Sequence, residues 1–521
     1  MDSLLGRNWP LAALIAATCL LIVPLWAVHI PGMPDYPAHL AGFALISDGA
    51  RAAPLANFYV IHWVFVPNLA SELAVPLLGK VMPLNAAIKL FLSAAVAMWV
   101  LGPAAIQRAA TGRLGPEPLA GAFFAYNANF TWGFFNYTFA AGLSFVVFAA
   151  WIWTDKRRGP FTLAGFALAA TALYACHLIG AVIFLAMAGC YEATRAWEEQ
   201  KWSFAALAKR VFPLVLIFLP AAIAFLFLKP AGTGSNEFAF DFGDTIGDRL
   251  AATIQSSYSE PAYLLIGALA ILVFAGFAYG KLKMLPVLTP LVLMLALLTL
   301  VSPEWALGGW GVDLRLPAVL GVMVFAAMEW NIGKRTAAAL GAALLLVACW
   351  ISATMALSWM GTDKQYQEFR AAISQISQGS RIVTVVDSNA LDEAPDQPYW
   401  HMAEFAIPDR GAFTSLMFAT KGQHVVQLRP PYDRLAASSA EQGSPPDVTE
   451  LEALSLGQDN GDSDIEEMFP YLKFFQCHYN IAVVVTGDGK PSDVPAFLTL
   501  RHAGSFYSLY DVHPTSACGR I

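Results

Sequence analysis

The chain has 521 residues, of which 57% are hydrophobic and 13% charged, with a formal net charge of -7. A soluble domain is nearer a quarter charged, so this composition excludes an ordinary soluble protein and gives much of the backbone lipid as its solvent. The modest acidic balance offers no footing for a nucleic-acid partner. Of the six cysteines, Cys19, Cys176, Cys190 and Cys349 lie in apolar runs and read as small core residues. Cys477 and Cys518 lie in the polar C-terminal part and pair if it sits in an oxidising compartment. No metal-type Cys/His spacing occurs.

The apolar runs are continuous rather than alternating, which favours helices over a barrel. At about 20 residues per span, spans are predicted at 9–29, 86–106, 119–132, 138–154, 161–177, 178–194, 205–228, 261–280, 284–301, 315–330 and 336–358, about eleven in all. No small-residue cleavage site follows the first run, which is read as an uncleaved span. With Arg7 in the cytoplasm, alternation gathers five basic clusters on the same side. They are Arg108 and Arg113; Lys156, Arg157 and Arg158; Arg195, Lys201, Lys209 and Arg210; Lys281 and Lys283; and Lys334 and Arg335. This is the positive-inside pattern, and an odd span count then puts the C-terminal part outside.

The first outer loop, about 30–85, opens on Pro34-Asp35-Tyr36-Pro37-Ala38-His39-Leu40. Leu40, Phe43, Ala44 and Ile46 mark one side of a predicted helix from Ala38 to Ala50, expected to lie along the membrane surface. Asp35 and His39, four apart, share a face of it. Asp35 also stands where an N-cap belongs, with Pro37 in the first turn. The loop continues through an aromatic, proline-rich stretch, Phe58 to Pro67, and carries Glu72.

The next outer loop, Tyr126 to Tyr137, is aromatic and holds Asn127, Asn129 and Asn136. It is either an interfacial aromatic belt or a sugar-facing surface, since rings stack on sugars and amides bond hydroxyls. A third, 229–261, is glycine-rich and then acidic, with the character of a lid. The last ends in Asp313-Leu314-Arg315-Leu316-Pro317.

After about Gly361 the composition shifts. Lys364 to Ser377 reads as an amphipathic helix, and 381–387, 479–486 and 506–512 read as strands. Asp433 to Asp464 reads as a loose loop. The expected fold is a polytopic α-helical membrane domain over 1–358, then a soluble α/β domain over 359–521. There is no internal repeat, no P-loop and no G-x-G-x-x-G after a strand.

Charged groups kept near a membrane are functional candidates by default. Asp35, His39, His177 and Arg315 fall on one side of the charge-derived topology. His177 is either a satisfied structural histidine at a helix turn or a site residue. Arg315 either pairs with Asp313 and snorkels or offers a fixed guanidinium to a phosphate.

In architecture, residues 1 to about 358 resemble the GT-C superfamily of membrane glycosyltransferases. The likeness is carried by Asp35 with Tyr36-Pro37-Ala38-His39, by His177-Leu178-Ile179-Gly180, and by Asp313-Leu314-Arg315-Leu316-Pro317. Tyr399-Trp400-His401-Met402 and Asp409-Arg410-Gly411-Ala412-Phe413 resemble stretches of uncharacterised bacterial members with this layout. The resemblance implies an inverting transfer of a sugar from a polyprenyl-phosphate donor to a glycan, lipid or protein acceptor. It implies Asp35 as the base, with Tyr36, His39, His177, Asp313 and Arg315 contacting substrate; Asn127 and Asn136 are added from the aromatic loop. No acid pair stands in the Asn127–Asn136 loop, so a divalent metal finds no support. Two other readings compete: a ligase or polymerase of lipid-linked glycans, and a non-enzymatic transporter or flippase. Against the last, no paired Gly/Pro-broken spans recur across two halves.

Overall fold

The computed structural model describes residues 2–48, 50–200, 203–227, 263–303, 311–388, 399–437, 445–456, 469–487 and 494–520. The expected lid at 229–261 and residues Gly309 and Trp310 lie outside the described residues. The chain divides into two compact units. One comprises residues 1–27, 65–71 and 89–357; the other comprises 28–64, 72–88 and 358–521.

The first unit is helical. Among the described residues, six helices of the chain are long and apolar enough to cross a membrane: Asn8–Ala27, Leu84–Thr111, Phe135–Trp153, Leu178–Glu199, Phe204–Phe227 and Lys334–Ile373. Three shorter apolar helices cover Pro160–Cys176, Leu269–Ala278 and Thr289–Val301. The chain reads as a multi-pass membrane protein.

Two expected spans take another form. Residues 119–132 are broken into the helix Pro118–Gly121, a 3-10 turn Ala122–Tyr126 and the helix Ala128–Trp132. The break falls at Asn127, which is extended (φ -73°, ψ 168°) and caps the following turn with its side chain. The span expected at 315–330 is the 11-residue helix Leu316–Ala326 followed by a short strand, Met328–Trp330, paired with Leu282–Met284.

Small residues let these helices approach closely, as membrane helices do without a hydrophobic drive of their own. A Cβ at Gly180 would lie 2.5 Å from Ala140 Cβ and 3.0 Å from its carbonyl carbon. A Cβ at Gly142 would lie 2.9 Å from Met98 Cβ. Three arginines of the basic clusters join an ion network. Arg158 meets Glu192 at 2.5 Å, Arg210 meets Asp155 at 2.5 Å, and Arg195 meets Glu198 at 2.6 Å. Glu192 is fully buried and also accepts from Trp151 Nε1, so its charge is compensated by partners rather than water.

The second unit is built on a five-stranded sheet. Its strands are numbered with a small ribbon: β1 Tyr59–Ile61, β2 Arg381–Val386, β3 Phe413–Thr414, β4 Val426–Leu428, β5 Ile481–Val485, β6 Leu498–Ala503 and β7 Tyr507–Val512. The sheet order is β3-β2-β5-β7-β6, and β1 pairs with β4 as a separate antiparallel ribbon. β2 runs parallel to β3 and β5, and β7 antiparallel to β5 and β6. β5 is buried at every residue, as a run of β-branched residues covered on both faces should be.

The helix expected along the membrane surface, Tyr36–Asp48, has eight of its residues buried instead. Ala41 and Leu45 pack in one core with Val383 and Val385 of β2, Phe413 and Leu451. Its apolar side has found a protein partner, which removes the reason to lie on lipid. The expected amphipathic helix at 364–377 is the end of one continuous helix, Lys334–Ile373, of 40 residues. Within the expected loose loop 433–464, a capping box at Asp447 and Glu450 starts a short helix, Leu451–Leu456. Cys477 and Cys518 are joined as a disulfide.

Candidate active site

In the second unit, Asp35 directly precedes the Tyr36–Asp48 helix and is 7% exposed. The backbone carbonyl of Asp35 accepts from His39 N–H at 3.0 Å. Tyr36 is fully buried, and its hydroxyl donates to Asn85 Oδ1 at 3.3 Å. Burial raises the Tyr36 phenol above its usual range, so Tyr36 is a neutral donor rather than a base.

The rings of His39 and His401 are brought together by Phe418. Its ring lies 5.4 Å from His39 and 4.7 Å from His401. His401 Nε2 stands 3.9 Å from Asp35 Oδ1, and His401 Nδ1 stands 3.9 Å from Glu404 Oε2. The unit therefore holds a carboxylate–imidazole–carboxylate row. His401 is 2% exposed and Glu404 fully buried. Burial pushes His401 down to about 3 and lifts Glu404 to about 8. At neutral pH the imidazole is uncharged and Glu404 largely keeps its proton.

Beside this row, His39, Phe43, Glu72, Phe418 and His424 line a cleft of about 20 Å³, room for about one water. Burial also holds His424 down, at about 4. Among the described residues, no group of three or more His, Cys, Asp or Glu side chains could hold a metal ion.

The first unit brings His177 and Arg315 around Tyr137. Asp313–Arg315 form a 3-10 turn, and Pro317 in the first turn of Leu316–Ala326 suits that helix start. Two side chains pin the turn by its carbonyls: Asn129 Nδ2 donates to Leu314 O at 2.8 Å, and the Tyr137 hydroxyl donates to Arg315 O. The guanidinium lies 5.4 Å from the Phe134 ring and 5.5 Å from the Tyr137 ring, within cation–π range. Asp313 acts on the Arg315 guanidinium electrostatically, and the buried Arg315 Nε has no hydrogen-bond partner among the described residues.

His177 ends the helix Pro160–Cys176 in an extended conformation. Its Nδ1 accepts from Ile179 N–H at 3.1 Å, which leaves Nε2 to carry the proton of the neutral ring. The ring lies 5.7 Å from that of Tyr137.

The two asparagines chosen as sugar contacts are occupied by the fold. Asn127 accepts from Phe130 N–H at 3.2 Å and donates to Phe124 O at 2.8 Å. Asn136 accepts from Ser71 N–H at 2.7 Å and donates to Asn68 O at 2.9 Å. Both are buried, where a polar side chain must find partners. Glu404 and the role of His401 were not assigned from sequence. The only trace is a His-x-x-Glu spacing inside Trp400-His401-Met402-Ala403-Glu404-Phe405, in which an acid stands among apolar residues.

No protein-family model and no curated protein sequence matches the chain. Two solved structures are similar to it across nearly its whole length. Arabinofuranosyltransferase AftD from Mycobacteria has a TM-score of 0.48 and 16% identity, covering 98% of this chain but only 40% of AftD. ArnT from Cupriavidus metallidurans, solved bound to undecaprenyl phosphate, has a TM-score of 0.47 and 10% identity, covering 97% of this chain and 98% of ArnT.

Proposed function

We propose that the protein is an inverting glycosyltransferase that moves a sugar from a polyprenyl-phosphate donor to an acceptor hydroxyl. The observation that carries this reading is Arg315. A guanidinium held by a pinned turn, faced by two aromatic rings and with its buried Nε unpartnered among the described residues is suited to a phosphate, whose oxygens take two parallel N–H bonds from it. His177 Nε2–H supplies a second donor near Tyr137.

In the reaction the acceptor oxygen attacks the anomeric carbon from the face opposite the phosphate. The carbon–oxygen bond to the phosphate breaks, and its electron pair leaves with the polyprenyl phosphate. The acceptor proton passes to Asp35 acting as general base. Arg315 stabilises the charge that grows on the leaving group. No nucleotide takes part, in keeping with a chain that carries no nucleotide motif. A periplasmic setting for the second unit is supported by the Cys477–Cys518 disulfide, which persists where the compartment is oxidising.

The test is binding of undecaprenyl phosphate to purified protein in detergent. Charge-assisted hydrogen bonds contribute about 1.5–3 kcal/mol, so Arg315→Lys should weaken binding about tenfold or more while leaving thermal stability nearly unchanged. Equal affinity in the variant would remove the phosphate role.

A further inference from the structure

The segment that leads into Asp35 is held by one face of another helix. Asp363, in the polar end of the helix Lys334–Ile373, is 8% exposed. Its carboxylate accepts from consecutive backbone N–H groups, Ile30 to Oδ1 at 3.0 Å and His29 to Oδ2 at 2.9 Å. Two bonds to one carboxylate fix orientation as well as distance. Trp359, Thr362 and Tyr366 share that helix face by their three- and four-residue spacing. A Cβ at Gly32 would lie 2.9 Å from Thr362 Cβ and from Trp359 Cδ1, so the loop meets the helix with no room for a side chain. The Tyr366 hydroxyl lies 3.5 Å from Met33 O. All of these residues belong to the second unit.

The stretch between this grip and Asp35 is stiff. Pro31 and Pro34 fix their own φ. Met33 N–H donates to Pro31 O at 2.8 Å, and Tyr36 N–H donates to Met33 O at 3.1 Å. Asp35 then precedes the Tyr36–Asp48 helix, with its carbonyl taken by His39 N–H. Ile30, Pro31, Met33, Pro34, Asp35 and Tyr36 are all buried. A shift of the backbone at 29 and 30 is therefore carried on to Asp35 rather than absorbed. The Asp363 charge also acts on Tyr36, the residue after Asp35.

We infer that Asp363 is a positioning residue for Asp35, acting through the backbone of residues 29–34. Its carboxylate fixes where the Pro34-Asp35 step stands, and so how far the base lies from the acceptor hydroxyl. The inference rests on the reading of Asp35 as base. A reacting group misplaced by about 1 Å costs about 10²-fold in rate. Asparagine at 363 keeps the shape of the side chain but only one acceptor oxygen. Its NH₂ group then faces one of the two N–H donors, and that side of the grip opens. A residue that only held the domain together would lower the melting temperature and leave the kcat of folded protein unchanged.

Full-length protein in detergent is tested against a panel of polyprenyl-phosphate-linked hexoses and pentoses, reading released polyprenyl phosphate. Asp363→Asn should lower kcat by about tenfold to 10²-fold, with the donor KM within about twofold of wild type. Asp363→Glu, which keeps both acceptor oxygens, should recover part of that loss. Gly32→Ala presses on the same loop from Thr362 and Trp359, and decides the matter where Asp363→Asn does not fold. It should lower kcat with KM kept, and wild-type kcat in it overturns the inference. In an Asp35→Asn background, Asp363→Asn should cost almost nothing further, because the base it positions is gone. An equal loss in both backgrounds, or wild-type kcat in Asp363→Asn, overturns the positioning role and leaves the Asp35 base intact. Full rate in Asp35→Asn removes the base, and the inference with it. Hydrogen exchange serves without turnover. Asp363→Asn should lose amide protection across residues 29–39 while β2 and β5 keep theirs, and unchanged protection of 29–39 overturns the inference.

Discussion

Asp35→Asn separates the two jobs a carboxylate can do at the start of a helix. Asparagine caps nearly as well as aspartate but accepts no proton. A base should therefore lose on the order of 10²–10⁴ in rate with the melting temperature almost unmoved, whereas a cap should lose neither. Glu404 makes a second prediction through linkage. Its folded value, about 8, lies above the ordinary 4.5. Across that window the unfolded chain has already released the proton that the folded protein still holds. Stability therefore falls as pH rises from about 4.5 to about 8, and Glu404→Gln removes the fall. Thermal melts at successive pH values should show the variant gaining on wild type across that range. Asp35, His39, His177 and Arg315 stand out as candidates in the sequence because each is a polar group in or beside an apolar run, where it is costly to keep. Glu404 does not, because the apolar residues beside it form a short stretch outside any membrane span, and only the tertiary fold buries it.

At the scale of elements, the aromatic outer loop shows why type and role part company. Asn127 and Asn136 were visible as amides among rings, but their partners, Phe124, Phe130, Ser71 and Asn68, are set by folding. Asn127→Ala should cost about 0.5–2 kcal/mol as a lost helix cap, and the folded fraction should transfer sugar at the normal rate. Loss of activity without loss of stability would return Asn127 to the substrate. The Tyr36–Asp48 helix carries a similar lesson. Its period marks an apolar face, but period alone does not say whether lipid or protein covers it. Leu45 is 1% exposed inside the sheet core, so Leu45→Ala should destabilise by about 2–5 kcal/mol.

At the scale of the molecule, continuous apolar runs made the membrane helices readable, and β-branched runs marked β2 and β5. The three-residue strands β1 and β4 gave no such signal, since their pairing joins residues far apart in sequence, Tyr59 with Leu428. The helix Lys334–Ile373 reads as two elements from its sequence because its composition changes from apolar to polar along its length. An α-helix continues through such a change as long as its backbone bonds are made within itself. The disulfide is checked by mass spectrometry without reductant, where a Cys477–Cys518 crosslinked peptide is expected. Its reduction should cost about 2–5 kcal/mol.

The most direct measurement is an experimental density map of the full-length protein with undecaprenyl phosphate. The phosphate should lie within hydrogen-bond distance of the Arg315 guanidinium, with the lipid chain leading away from it along the helices of the first unit. A phosphate bound by other groups, with Arg315 untouched, would contradict the account.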